Sequence, residues 1–597
     1  MESSATEAPV AEPWVLRDYA LVADGERGAL IGPRGDVAWM CAPSWHSAAV
    51  FSGLLGGPGG FRVRPRDRWN VWGGYYEDGT LIRVSRWVTR DAVISCREAL
   101  AAPAEHGRAV LLRQIRAVRG EARVLMDLDV RADYGRHPMT GLRRDGGVWQ
   151  AVSGRSWLRL TGAGHARASS DGLCAELRLP EGGVHDLVLE VGEGTRADTA
   201  PPDPQALWEA TGDWWADAVP DCATTAAPRD ARMAYAVLNG LTSTTGGMVA
   251  AVTTSLPERA DTGRDYDYRY AWIRDQAYAG TAVAAHGPHP LLERMVRFVT
   301  ERVLDDGPDL RPAYTVDGRP LPAERLLPLT GYPGGTNRAG NHAGRQFQLD
   351  VFGEVLQLLA AADRHGMLDD RAVRAARIAA RAVRDRWEEP DAGLWELEKR
   401  WWTHSRLTCV VGLRDLAHRL GDAPPDGWSR LADRMLETTR RRCLHRDGHW
   451  QRAADDTGVE AALLLPLARG AVPHGEASPA LTRQAVMRHL TKDGYVYRFR
   501  HGGRPLGDAE GSFLLCGFMM ALAAHAEGAH TEAMRWFERT RSACGSPGLL
   551  AEEWDVSQRQ LRGNLPQAFV HALLLECAAR LGPPLGGDDG LIPAGRP

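Results

Sequence analysis

The sequence predicts a multidomain α and β protein, an N-terminal antiparallel β-sandwich followed by a large all-α domain. Three observations carry that expectation: short β-forming runs fill the chain up to about residue 192, a proline-containing break follows at 195–205, and the apolar period then becomes helical.

The strand region is read from the runs at 109–115, 123–130, 156–162, 175–179 and 184–192. Turn signals such as Asp145-Gly146-Gly147 and Glu181-Gly182-Gly183 separate them. Several short strands at this even spacing indicate a sandwich. The break TRADTAPPDPQ marks a linker. Beyond it, Val373, Ala376, Ala380, Val383 and Trp387 share one helical face while arginines take the other. Comparable patterns lie at 229–242, 351–363, 405–420, 480–490, 512–527 and 566–581. A domain of that length holds roughly a dozen helices, which fits paired concentric layers better than a four-helix bundle. The expected boundaries are a disordered tail at 1–12, the sandwich at 13–200, a linker at 201–228, the helical domain at 229–582 and a tail at 583–597.

Composition narrows the function. The chain of 597 residues carries 72 basic and 76 acidic side chains, so no broad field draws it to nucleic acid or an anionic membrane. Its nine cysteines are scattered and form no C-x-x-C pair, as in reduced intracellular proteins. The acidic N-terminus has neither a basic nor an apolar signal region, and no run approaches the ~18 apolar residues of a membrane span. A cytoplasmic protein acting on a small molecule is expected. P-loop, dinucleotide, zinc-protease and nucleophile-elbow motifs do not occur, and His and Cys spacing builds no metal cage. Neither cofactor nor metal is expected. The oligomeric state is not legible.

Three segments carry chemistry. Residues 264–275 hold Tyr266, Tyr268 and Tyr270, Trp272, Arg264, Arg269 and Arg274, and Asp265, Asp267 and Asp275. Such groups are costly to bury unless they bond to each other or to a polar ligand, and adjacent Arg and Asp can grip neighbouring sugar hydroxyls. A structural ion-pair network would have the same composition. The second segment is Gly393-Leu394-Trp395-Glu396, where a large aromatic beside a carboxyl can desolvate it and hold it protonated. The third, Leu549 to Asp555, contains the adjacent carboxylates Glu552 and Glu553 before the last long helix. Glycoside hydrolysis requires two carboxyls flanking the scissile bond.

With these segments in this order, the chain resembles glycoside hydrolase family 15, the glucoamylase, glucodextranase and trehalase group. Further pieces carry the resemblance over almost the whole length: Asp18-Tyr19-Ala20-Leu21, Gly35 to Trp39, Pro43, Thr254 to Glu258, Gly340-Asn341, Gln346 to Glu354, Glu510 to Cys516 and Gly563 to Phe569. The resemblance implies a β-sandwich on an (α/α)6 barrel with the site in the barrel mouth. It implies an inverting exo-acting hydrolase releasing glucose from a short α-glucoside such as trehalose, isomaltose or a malto-oligosaccharide, with Glu396 as acid and Glu552 as base. Trp272, Arg274 and Asp275 would hold the terminal glucose, with Tyr268 near the reacting centre. Arg338, Trp395 and Glu553 would line the same pocket. Two departures, Pro43-Ser44-Trp45-His46-Ser47 and Ser95 to Leu100, bear on the leaving group rather than on hydrolysis. A phosphorylase, needing only the acid, and a non-catalytic sugar-binding protein are the alternatives.

Overall fold

The computed structural model describes residues 12–169, 172–194, 200–260, 263–421 and 427–582. The N-terminal part is antiparallel sheet throughout. An eight-stranded sheet has its strands in the order Thr140–Asp145, Val148–Ser153, Ser156–Thr161, Val184–Glu193, Arg108–Arg119, Val93–Leu100, Arg83–Val88 and Val71–Tyr76. Facing it is a four-stranded sheet ordered Arg167–Ser169, Gly172–Leu179, Ala122–Asp129 and Gly60–Pro65. Alternation places Val124, Met126 and Leu128 of one sheet against Ile94, Leu111 and Leu189 of the other in a common core.

A third sheet, Ala20–Ala23, Gly28–Ile31, Val37–Cys41 and Ala49–Phe51, lies between this sandwich and the helices. Its Val22, Ala29, Ile31 and Met40 enter the sandwich core, while Leu21, Ala23, Leu30, Trp39 and Cys41 enter the helical core. Burial on both faces removes the polar alternation, so these strands are continuous apolar runs.

Among the described residues there are thirteen α-helices: α1 (Pro204–Ala218), α2 (Pro228–Leu241), α3 (Ile273–Ala284), α4 (Pro290–Asp306), α5 (Asp350–Asp363), α6 (Asp370–Arg386), α7 (Thr403–Leu420), α8 (Trp428–Cys443), α9 (Leu464–Ala468), α10 (Ser478–Leu490), α11 (Leu514–Ala526), α12 (His530–Arg541) and α13 (Ala568–Leu581). The segment expected to be a linker, 201–228, instead contains α1. Asp203 caps it by accepting from the Ala206 N–H, and Pro204 occupies its first turn. The prolines there start a helix, whose Trp208 indole donates to Asp186 of the sandwich at 2.9 Å.

Helices α3, α5, α7, α9, α11 and α13 pack each against the next and close into a ring, with α2, α4, α6, α8, α10 and α12 outside it. This is the (α/α)6 barrel. Inner helices are buried on nearly every face, as α3 and α11 are, while outer ones such as α6 and α8 bury one stripe and expose arginines. Close approach of α5 and α7 depends on glycine: a Cβ on Gly353 would lie 2.7 Å from the Cys409 nitrogen, and one on Gly412 2.5 Å from the Gly353 carbonyl oxygen. The connections leading into the N-terminal ends of the inner helices gather at one end of the barrel. All nine expected site residues lie on these connections or in the first turn of α3. The tails expected at 1–12 and 583–597 fall, apart from Glu12, outside the described residues. Among those described, no helix is long and apolar enough to cross a membrane.

Candidate active site

The segment before α3 runs extended, so alternate side chains take opposite sides. Asp267 and Arg269 turn toward the N-terminal sheets. Arg269 is buried, bonds both carboxylate oxygens of Asp267, donates to the Ser47 carbonyl at 2.9 Å, and lies against Trp39 and Tyr134. Tyr266 and Tyr268 are parallel within 8° with ring centroids 6.4 Å apart, and Trp272 meets Tyr268 edge-on at 5.5 Å.

Arg274 and Asp275 occupy the first turn of α3. Arg274 donates to the Leu394 carbonyl at 3.1 Å and approaches Glu396 at 3.9 Å, while its Nε lies 3.5 Å from Asp275. Burial, opposed by Arg274, pushes the Asp275 carboxyl up to about 6. Arg274 Nε and Asp275 Oδ1 have no hydrogen-bond partner within the protein, which suits a forked donor and an acceptor for vicinal hydroxyls.

Glu396 lies in the tight turn between α6 and α7. Gly393 and Glu396 both adopt left-handed backbone, φ 66° and 56°, a conformation rare for a non-glycine residue. The turn is held by Asp391, which accepts from the Gly393 N–H and the Ser405 hydroxyl and pairs with Arg406. Glu396 Oε1 accepts the Trp272 indole N–H at 2.7 Å, and its side chain stays 25% exposed. The aromatic that contacts Glu396 is therefore Trp272. Its sequence neighbour Trp395 packs edge-on against Phe513 and under the Arg498 guanidinium.

Glu552 enters from the connection before α13. Adjacent residues on extended chain point opposite ways, and Glu552 and Glu553 separate accordingly. Glu552 Oε1 accepts the Tyr268 hydroxyl at 2.7 Å. Glycine is required beside it, because Gly563 has φ 74° and a Cβ there would lie 2.7 Å from Glu552 Oε2. Glu553 accepts the Gly511 N–H at 2.7 Å and faces Arg498. Burial and the charge of Glu258 push Glu552 up to about 8, against the Tyr268 hydrogen bond and Arg498. Burial, Glu258 and Glu510 raise Glu553 well above the usual carboxylate range. Both carboxyls are thus displaced toward the protonated form, and they titrate as a coupled pair.

Eight of the nine expected residues, Tyr268, Trp272, Arg274, Asp275, Trp395, Glu396, Glu552 and Glu553, converge here. Arg338 borders the segment before α3: it is half-buried on the ribbon Arg325–Leu326/Arg338–Ala339, its carbonyl accepts from Thr254 and Ser255, and its charge acts on Asp265. Residues not singled out complete the surroundings. Arg498 pairs with Glu258 and Glu510, and Arg264 with Glu258. Asp350, at the start of α5, is pushed up to about 8 by burial and Asp391, and Arg274 acts on it in the opposite sense. Glu258, Glu510 and Asp350 all lie within the family-like runs, whereas Arg498 has no local signal.

Among the described residues, two carboxylate or imidazole groups have metal-like spacing. Glu258, Glu510 and Glu553 lie within 4.8 Å of one another, but Arg498 already compensates their charge. His445, Asp447 and His449 lie in a hairpin after α8, where His445 Nδ1 accepts the Asp447 N–H.

Known proteins share the sequence and the fold of this chain. The model described as "Glycosyl hydrolases family 15" matches residues 232–579, and that described as "Trehalase-like, N-terminal" matches 11–199. A trehalase of Mycobacterium tuberculosis is 28% identical over 625 residues, covering 96% of this chain and 91% of that protein. Trehalase 1 of Sulfolobus acidocaldarius is 27% identical over 580 residues, covering 94% and 98%. A bacterial glucoamylase solved in complex with acarbose has the same fold, with a TM-score of 0.67, 13% identity and 96% of both chains covered.

Proposed function

Since this chain belongs to glycosyl hydrolases family 15 and is a glycoside hydrolase, we propose that it is an inverting, exo-acting α-glucosidase that frees glucose from a short α-glucoside, trehalose first among them. The observation that carries the reading is the pair of carboxyls held by neighbouring rings: Trp272 donates to Glu396 and Tyr268 donates to Glu552. Trehalose leads because relatives named trehalases match nearly the full length.

The chemistry follows from that pair. Glu396, its Oε1 occupied by the indole N–H, carries its proton on Oε2 and delivers it to the glycosidic oxygen as the C–O bond breaks. Water attacks the anomeric carbon from the opposite face and gives its proton to Glu552, whose ionised form the Tyr268 hydroxyl favours. Arg274 and Asp275 grip the glucose at the closed end of the pocket. The product is β-glucose and the freed leaving sugar.

Incubation with trehalose, isomaltose and maltose, following the first-formed anomer by NMR, tests this; α-glucose appearing first would refute inversion. Glu396→Gln should lose turnover of these disaccharides yet keep appreciable hydrolysis of α-glucosyl fluoride, whose leaving group needs little protonation. Glu552→Gln should lose both by at least ~10²-fold. Equal loss of both substrates in Glu396→Gln would remove it from the acid role.

A further inference from the structure

The rings beside the two carboxyls form a row that continues past them. Trp272 bonds Glu396, Tyr268 bonds Glu552, Tyr266 lies parallel to Tyr268, and His342 meets Tyr266 at 6.5 Å and 60°. Accessibility rises along the row: Trp272 is buried, Tyr268 and Tyr266 half-buried, and His342 exposed, with its Nδ1 3.0 Å from the exposed Glu324. The row therefore runs from the catalytic carboxyls to solvent.

The other side is closed. Arg274 and Asp275 are buried in the first turn of an inner helix, with Arg274 Nε and Asp275 Oδ1 3.5 Å apart and neither hydrogen-bonded within the protein. A glucose held there has its leaving group directed toward the open side, where Tyr266 presents a ring one pleat beyond Tyr268. The phenol of Tyr266 also lies in the field of Glu258, Arg264, Arg498 and Glu396. Its backbone is fixed: the carbonyl accepts from Asn564 Nδ2 at 2.9 Å and the Ser255 N–H at 3.0 Å. A rigid half-buried ring with a polar rim suits a pyranose, which has an apolar C–H face and hydroxyls at its edge.

We propose that Tyr266 is a specificity-determining residue of this enzyme, its ring forming the platform for a second pyranose on the leaving side, with His342 and Glu324 at the rim. This rests on the hydrolase reading above. It separates the binding of the leaving sugar from the grip on glucose, which Arg274 and Asp275 supply.

The test compares wild type, Tyr266→Ala and Tyr266→Phe on the disaccharide that the wild type cleaves best and on α-glucosyl fluoride, which has no leaving sugar. In Tyr266→Ala, kcat/KM on the disaccharide should fall at least about tenfold further than on the fluoride, a differential of about 1.4 kcal/mol. Tyr266→Phe keeps the ring and should stay within about threefold of wild type on both. Circular dichroism checks that each variant is folded. Equal losses on the two substrates, or no loss in Tyr266→Ala, would overturn the proposal while leaving hydrolysis intact. A wild-type protein that cleaves neither substrate would overturn the hydrolase reading and this assignment together.

Discussion

Tyr268→Phe removes one hydroxyl and, with it, the 2.7 Å hydrogen bond to Glu552 Oε1. That bond stabilises the ionised carboxylate, so its loss raises the proton affinity of a group that burial already holds at about 8. A hydrogen bond to a charged group contributes about 1.5–3 kcal/mol. At 1.36 kcal/mol per pKa unit, this displaces Glu552 upward by roughly one to two units. A general base acts only when ionised, so the acid limb of kcat/KM moves toward alkaline pH by that amount. At pH 7 the active fraction drops roughly tenfold to a hundredfold. The assay is a pH profile of kcat/KM on the preferred α-glucoside, with a thermal melt of each protein beside it. Because Glu552 and Glu553 titrate as a pair, the displaced limb reports their joint behaviour. A limb that stays in place, or moves toward acid, in a folded Tyr268→Phe protein would refute both the assigned base and the reasoning about its proton.

Other perturbations have equally definite signs. Glu258→Gln removes a like charge that raises Glu552 and leaves Arg264 and Arg498 less compensated, so the acid limb should move to lower pH in the same assay. Asp275→Asn replaces a charge-assisted acceptor with an amide and should lower kcat/KM on every substrate by at least about tenfold, including α-glucosyl fluoride; unchanged kinetics would take Asp275 out of the glucose grip. Gly353→Ala places a methyl 2.7 Å from the Cys409 nitrogen and should destabilise the α5–α7 contact by ~1–3 kcal/mol, measured by chemical denaturation.

What the sequence made legible follows burial in the sheets but not in the helices. Strands with one wet face, such as Ala122–Asp129, alternate and were found; the third sheet, dry on both faces, leaves no period to read. Outer helix α6 declares itself by its arginine face, and the inner α5, α11 and α13 were read although buried nearly all round, whereas α3 lies hidden behind the motif that precedes it. The amphipathic α4 and α8 do carry the helical period and were open to the same reading. At the site, each carboxyl was legible within its own motif, but its donor was not. Trp272 and Tyr268 come from 124 and 284 residues away, and no local pattern records such pairings. Trp395 misled because the backbone at Glu396 is left-handed and sends the two neighbours apart.

The double-sided sheet and Arg269 bear on how the protein comes apart. Between the sandwich and the barrel there is a composition break that looks like a hinge, yet Trp39, Leu21 and Leu30 belong to the helical core, and the Trp39 indole donates to the Val252 carbonyl. Arg269, one residue from Tyr268, finishes its hydrogen bonds on Ser47. Cutting the chain after the sandwich would leave the barrel with a stripped apolar face and a buried guanidinium short of an acceptor, beside the residue that steadies Glu552. The modules visible along the sequence are therefore not modules in energy: the halves should melt as one cooperative unit, and neither inherits the activity alone.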